Sequence, residues 1–316
     1  MDLCENLISF VIPCYCSEKT IKQVVDEVIN EFRKQLKYDY EIILINDCSK
    51  DNTKTVIKNM AEENHKIVAV DFAKNFGQHS ALMAGFSKVK GEYVVCLDDD
   101  GQMPIESVFE LIGELENGAD VAFGKYEETK QKWYRNIGSA INAKMTEILL
   151  DKPRDLFISS FWAGKRFVIE EVLRYDGAYP YIGGLLLRAT QNMVCIPVKH
   201  RERLSGTSGY TFFKLVNLWM NGFTAFSLKP LRFATFCGCI SAMVGFLFGI
   251  ITIIRKLLNP EILIGYTSII AVILFIGGMV MFMLGMLGEY IGRIYICINK
   301  SPQYVIRDVV DERRIK

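Results

Sequence analysis

Two stretches near the end of the chain carry no charged residue: 233–254 and 262–287. Each exceeds the roughly 20 residues a helix needs to cross the hydrocarbon of a bilayer. Arg255 and Lys256 close the first, Glu289 and Arg293 follow the second, and Asn259-Pro260 stands between them as a turn. Core helices rarely run so long without a charge, so the expectation is a membrane hairpin, not a buried core hairpin. A hairpin returns the chain to the side it left. Lys229, Arg232, Arg293, Lys300 and Arg307 flank that side, against Arg255 and Lys256 in the short outer loop. The positive-inside rule then places the N-terminal portion and both termini in the cytosol.

The chain start agrees. "MDLCENLISFVIP" has acids where the basic region of a signal peptide would stand. Residues 211–230, ahead of the first apolar run, are dominated by Phe212, Phe213, Leu215, Val216, Leu218, Trp219 and Phe223, with Lys214 and Lys229 near the ends. That mixture predicts a helix lying in the headgroup region, although a soluble core helix has a similar pattern. The nine cysteines form no CxxC pair: Cys14 and Cys16, like Cys237 and Cys239, are two apart. Reduced thiols are the simpler reading than a metal site. Lys plus Arg total 37 and Asp plus Glu total 36, so no global field recruits nucleic acid.

The first half alternates strand and helix patterns. "LISFVIPCY", "YEIILIND", "KIVAVDF" and "EYVVCLDDD" are apolar, β-rich runs. Between them "KTIKQVVDEVINEFRKQL" carries Ile21, Val24, Val25, Val28, Ile29 and Phe32 at helical spacing, and "DNTKTVIKNMAEEN" and "GQHSALMAGFSKVK" complete the series. This βαβαβαβ order predicts an α/β domain with a mainly parallel sheet covered by helices. Ligands of such sheets bind beyond the carboxyl ends of the strands. Tyr15, Asp47 and the Asp98–Asp100 run stand at those ends and are expected to converge.

"CLDDDGQMP" follows a fully apolar strand, where unpaired charge is costly. Three uses are open: a divalent-metal site, an acid/base pair, or a solvated turn. Asp98, Asp100 and Gln102 share a parity and would face one way in an extended chain. Hard oxygen donors of that kind suit Mg²⁺ or Mn²⁺ held with substrate phosphates, and the absence of compensating bases nearby favours this use.

Five motifs in order carry a resemblance. "VIPCYCSE" is similar to VVPVYNE, "INDCSKDNT" to DDGSxDxT, "AKNFGQHSALMAGF" to RNFGxxAALxAG and "DDDGQMP" to DADLQxPP. "RERLSGTSGYTFFKLVNLWMNGFTAFSLKPLR" resembles RxxGxSKYxxxKLxxLxxDGxxxFSxxPLR. Through nearly its whole length the chain resembles family 2 inverting glycosyltransferases with the GT-A fold. More closely it resembles the polyprenyl-phosphate group, which includes dolichyl-phosphate mannose synthases and bacterial undecaprenyl-phosphate sugar transferases.

The resemblance implies the following roles. Pro13, Tyr15, Ser17 and Asp47 would line the nucleotide pocket, Asp47 meeting the base. Asp98, Asp99 and Asp100 would meet the sugar nucleotide, and Asp98, Asp100 and Gln102 would hold the metal. Lys125 and Arg135 would face phosphates. Arg203 and Ser208 match the arginine and serine of the last motif. Asp100, Lys125, Arg135 and Arg203 are thereby implied in catalysis. The implied donor is a UDP-sugar, the acceptor a polyprenyl (undecaprenyl) phosphate, the product a lipid-linked sugar for the cell envelope, and the assembly a homo-oligomer. A lipid phosphate is already anionic, so the reaction needs charge neutralisation more than a base.

Three departures stand out. Ser17 occupies the glutamate position after the first tyrosine, with Glu18 next; Gly209 replaces the SKY lysine; and "SSFWAGK" puts Ser160 where a GDFRL aspartate would be. A processive polysaccharide synthase would carry QxxRW, and Trp133, Trp162 and Trp219 do not fit it. A catalytically silent nucleotide-sugar scaffold would not need the full Asp98, Asp100, Gln102 and Arg203 set. The expected layout is a catalytic domain over 1–210, an interfacial region over 211–230, a hairpin over 231–290 and a cytosolic tail over 291–316.

Overall fold

The computed structural model describes residues 4–35, 37–126, 147, 152–153, 156–199, 229–258 and 266–313. The chain divides into two units, Met1–Val216 with Ser301–Lys316, and Asn217–Lys300.

The first unit is built on an eight-stranded sheet. In chain order its elements are β1 (Cys4–Cys14), α1 (Ile21–Arg33), β2 (Asp39–Asn46), α2 (Thr53–Glu63), β3 (Ile67–Phe72), α3 (Gln78–Phe86) and β4 (Gly91–Cys96). Then come α4 (Val108–Glu116), β5 (Val121–Tyr126), β6 (Trp162–Lys165), α5 (Arg166–Leu173), α6 (Ile182–Ala189), β7 (Met193–Val198) and, beyond the second unit, β8 (Ile306–Asp311). The strand order is β7-β5-β6-β4-β1-β2-β3-β8. β3, β2, β1 and β4 run parallel, as the alternating pattern requires. β6 lies antiparallel between β4 and β5, and β7 returns parallel to β5. This is a GT-A-like mixed α/β sheet.

Burial explains why these segments take these forms. Ile42 to Ile45 are fully buried on both faces of β2, since helices cover the sheet on both sides. On α1, Ile21, Val24, Val25, Val28 and Phe32 form one buried stripe. α3 is buried from Ser80 to Phe86. It lies so close to the sheet that a Cβ on Gly85 would stand 2.3 Å from Val11 Cγ1, so only glycine fits. That close approach sets the N-terminus of α3 over the carboxyl ends of the central strands.

β8 falls in the segment expected as a cytosolic tail. It adds antiparallel to the edge of β3, pairing Val70 with Val309. Its far end is held by buried charge: Arg313 Nη1 donates to Glu41 Oε2 at 2.6 Å and to the Lys88 carbonyl at 2.8 Å. Glu41 also accepts from Ser9 Oγ and the Lys90 N–H, both at 2.5 Å.

The second unit consists of α7 (Lys229–Leu258) and α8 (Tyr266–Ile298). At 30 and 33 residues they outrun the uncharged stretches, because Arg255, Glu289 and Arg293 are also helical. Their large apolar side chains face outward: Phe246 is 69% exposed and Met281 69%. Ala234–Ile251 and Phe275–Ile298 are each long and apolar enough to cross a membrane. The expected Asn259-Pro260 turn lies outside the described residues, as does the interfacial segment up to residue 228.

Candidate active site

β1, β2 and β4 are parallel, so Cys14, Asn46 and Cys96 end on one edge of the sheet. The loops that follow are laced together. Cys16 N–H donates to Ser49 Oγ (3.0 Å), Ser17 N–H to Thr53 Oγ1 (2.9 Å) and Glu18 N–H to Asp51 Oδ2 (3.2 Å). Glu18 Oε2 accepts the Asn52 N–H in return at 2.9 Å. Asp51 also accepts from the Thr53 backbone and hydroxyl, closing the start of α2. Glu18, one place beyond the motif position, thus ties two strand-end loops together. Ser17 is buried beneath this lacing, and Pro13 is buried in β1.

Asp47 is 4% exposed and accepts backbone N–H groups from Phe76 (2.7 Å) and Gly77 (2.8 Å). Burial raises its carboxyl above the ordinary range, and these two amides oppose the rise. Asp47 therefore shapes the loop that leads into α3, a contact 29 residues away that its motif does not disclose.

β4 ends at Cys96, so strand parity does not carry through the carboxylate run. Asp99 and Asp100 form a turn, and Gly101 has φ +74°, a left-handed conformation that suits glycine. Asp98 Oδ1 accepts from Gln78 Nε2 at 2.8 Å, and Oδ2 accepts from Ser160 Oγ at 2.7 Å. Asp99 Oδ2 accepts the Tyr15 N–H at 3.0 Å. Asp100 Oδ1 accepts the Gln102 N–H at 3.1 Å. Strand order thus places Tyr15, Asp47 and the Asp98–Asp100 run on one edge, where the Tyr15 backbone meets Asp99.

Their electrostatics is unbalanced. Burial pushes the Asp98 carboxyl up to about 6; the neighbouring charges of Asp100 and Asp99 add to the rise, and the Ser160 and Gln78 hydrogen bonds oppose it. Burial also raises Asp99. Among the described residues these two carboxylates bond only to neutral donors. Asp98 and Asp99, which meet only neutral donors among the described residues, offer hard oxygens of the kind that suit a divalent cation, and Asp98, Asp100 and Gln102 are the residues that could hold one. Among the described residues no group of three or more His, Cys, Asp or Glu side chains is already clustered as a metal site.

Tyr126, at the end of β5, was not legible in the motifs. Burial raises its phenol, and the charges of Asp98 and Asp100 raise it further, so the ring stands within their field. Side chains alternate along a strand, so its neighbour Lys125 leaves the opposite face and is exposed. Arg135, Arg203 and Ser208 lie outside the described residues.

Beside Asp98 opens a cavity of about 170 Å³. Gln78 and Ser160, both bonded to Asp98, stand on its wall, together with His79, Ser159 and Tyr181. Leu82, Phe123, Trp162, Ile182 and Leu186 are its buried apolar lining.

Glycosyl transferase family 2 matches residues 9–173, from β1 through α5, and the chain belongs to that family. The GtrB C-terminal hairpin matches residues 229–294, the two long helices. The undecaprenyl-phosphate 4-deoxy-4-formamido-L-arabinose transferase of Proteus mirabilis (strain HI4320) is 34% identical over 315 residues, 98% of this chain and 95% of that protein. The prophage bactoprenol glucosyl transferase homolog of Escherichia coli (strain K12) is 32% identical, covering 96% and 99%. Among solved structures, glucosyl-3-phosphoglycerate synthase from Mycobacterium tuberculosis, in complex with Mn²⁺, UDP-glucose and phosphoglyceric acid, aligns with TM-score 0.49 at 18% identity, covering 67% of this chain and 75% of that one.

Proposed function

We propose that the chain transfers one monosaccharide from a UDP-sugar, with inversion, to the phosphate of a polyprenyl (undecaprenyl) phosphate at the cytosolic face of the cell membrane. The product is a lipid-linked sugar donor for cell-envelope glycosylation. The observation that carries this reading is the union, in one chain, of undercompensated carboxylates at parallel strand ends and two outward-facing apolar helices. β8 supports the topology. It pairs with β3 after the chain has passed through both helices, so two membrane crossings must return it to the side of the first unit.

In the reaction, an oxygen of the acceptor phosphate forms a bond to the anomeric carbon as the bond to the donor diphosphate breaks on the opposite face. The acceptor oxygen is already anionic, so no side chain need remove a proton. That agrees with Ser160, a hydroxyl that holds Asp98 and cannot serve as a strong base. Asp98, Asp100 and Gln102 would hold Mg²⁺ or Mn²⁺, which neutralises charge on the leaving diphosphate. Tyr15 fixes Asp99 through its backbone, Asp47 orders the loop before α3, and Ser17 supports the strand-end loops. Arg203 and Arg135 are assigned to phosphate charge, with Ser208 five residues after Arg203 in the same motif.

The test is incubation of the detergent-purified chain with polyprenyl phosphate and a panel of UDP-sugars, with the lipid product read by mass spectrometry. One sugar per lipid phosphate is expected. A long polymer would point to a processive synthase, and no lipid product to a silent scaffold; either result overturns the reading.

A further inference from the structure

The cavity beside Asp98 combines a polar rim with an apolar floor. Gln78 and Ser160 are exposed at the rim, whereas Leu82, Phe123, Trp162, Ile182 and Leu186 are buried below. Trp162 is fixed by Phe86 and Phe123, with ring centroids 5.9 and 6.4 Å away. One polar atom in this wall is incomplete. His79 Nδ1 is buried and has no hydrogen-bond partner among the described residues. Its ring stands edge-on to Tyr181, centroids 5.3 Å apart and planes at 82°. A buried polar atom without a partner is costly, so its persistence calls for a ligand group or another cause.

The size narrows the occupant. About 170 Å³ falls below the roughly 300–1,000 Å³ of pockets for drug-sized ligands, so a nucleoside diphosphate does not fit but a single ring does. Chemistry narrows it further. An isoprenoid tail would cover the apolar floor and leave His79 Nδ1 unpaired in a dry site. A sugar ring offers C–H faces to the floor and hydroxyls to the rim. Burial holds the imidazole neutral, with its pKa lowered to about 4, so Nδ1 can serve as an acceptor.

We propose that this cavity receives the donor's sugar ring and that His79 is a specificity residue, accepting a hydrogen bond from one sugar hydroxyl. This rests on the reading of the chain as a UDP-sugar transferase. It goes beyond that reading by naming the side chain that distinguishes one sugar from another. Gln78 and Ser160 would connect that choice to the carboxylates, since both bond to Asp98.

The experiment compares wild type with His79→Phe, which keeps a ring against Tyr181 but no acceptor, and with His79→Gln, which keeps an acceptor. From the UDP-sugar that wild type transfers best, kcat/KM should fall about tenfold in His79→Phe, the scale of one lost hydrogen bond. His79→Gln should recover part of the loss, and the Kd for UDP alone should not change in either. Deoxy analogues of that donor sharpen the test. Removal of one particular hydroxyl should cost wild type about as much as the substitution, and should cost His79→Phe nothing more. Binding gives a second readout on folded protein. The chain has three histidines, so ¹⁵N-histidine spectra should show the His79 imidazole moving with the UDP-sugar and not with UDP. Wild-type donor kinetics in His79→Phe, or an imidazole that ignores the sugar, would overturn the assignment while sugar transfer itself stands. A wild-type chain that transfers no sugar would remove the parent reading and this one together.

Discussion

The two ends of the sheet hold carboxylates in opposite ways. At the amino ends of β1, β2 and β4, Glu41 is 3% exposed and is met by Arg313 at 2.6 Å. At the carboxyl ends, Asp98 and Asp99 are held by a glutamine, a serine and a backbone amide. The first site is complete within the chain, and its counter-charge arrives from beyond the helix pair to lock β8 in place. Among the described residues, Asp98 and Asp99 in the second meet no cation. The Glu41 charge is paired from inside, whereas among the described residues the Asp98 and Asp99 charges meet only neutral donors. The helix pair likewise presents large apolar side chains that the described residues leave uncovered.

The largest expected effect breaks the complete end. Arg313→Ala leaves Glu41 buried and unpaired, which should cost about 3–5 kcal/mol of unfolding free energy. Denaturant unfolding of the full chain in detergent measures it. A loss below about 1 kcal/mol would mean the pair is solvated like a surface salt bridge. At the other end the contrast should invert. Asp100→Ala should leave stability near wild type and lower sugar transfer by about 10²-fold or more, the scale of losing a transition-state charge stabiliser. EDTA should abolish wild-type transfer, and Mn²⁺ or Mg²⁺ should restore it. An Asp100→Ala enzyme at full activity in chelator would remove the metal reading.

Arg203→Lys comes next. A headgroup anchor contributes about 1 kcal/mol to membrane binding and would be dispensable in detergent. A cation on the reacting phosphates is not replaced by lysine, which lacks the planar fork. At least tenfold lower turnover is therefore expected in detergent with saturating polyprenyl phosphate; wild-type turnover would leave Arg203 as an anchor.

The smallest effect concerns Ser160→Ala, for which less than about tenfold loss of transfer is expected, since no general base is removed. The pH dependence carries more information. Asp98 must be ionised to bind a cation, and its folded pKa is raised to about 6, so Mn²⁺ binding should weaken as pH falls through that value. Ser160 lowers that pKa, so its removal should move the midpoint upward. A midpoint that stays or falls would show that the hydrogen bond does not act on Asp98.

Much of this was legible in the sequence, and the reasons are physical. The strand and helix order from β1 to β4 follows from local periodicity, and parallel order alone put Tyr15, Asp47 and Asp98 on one edge. The contacts that tune the site were not legible. Ser160 reaches Asp98 across 62 residues and Phe76 reaches Asp47 across 29, and no local pattern encodes such pairings. Parity misled at Asp100, because the strand ends before the turn at Asp99 and Asp100. β8 escaped notice because "IRDVVD" is short, charged and on an edge, where burial imposes little alternation. Tyr126 belongs to no motif; its burial and the charges of Asp98 and Asp100, far from it in sequence, are what mark it.

The measurement closest to the central claim is Mn²⁺ binding by electron paramagnetic resonance on the full chain in detergent, with and without UDP. It needs neither the right sugar nor the right lipid. The expected result is one Mn²⁺ per chain, bound more tightly with UDP, lost in Asp100→Ala and retained in Arg313→Lys. No bound Mn²⁺ in wild type, or equal binding in Asp100→Ala, would contradict the claim that the carboxyl end of the sheet is left short of charge for a cation and a diphosphate.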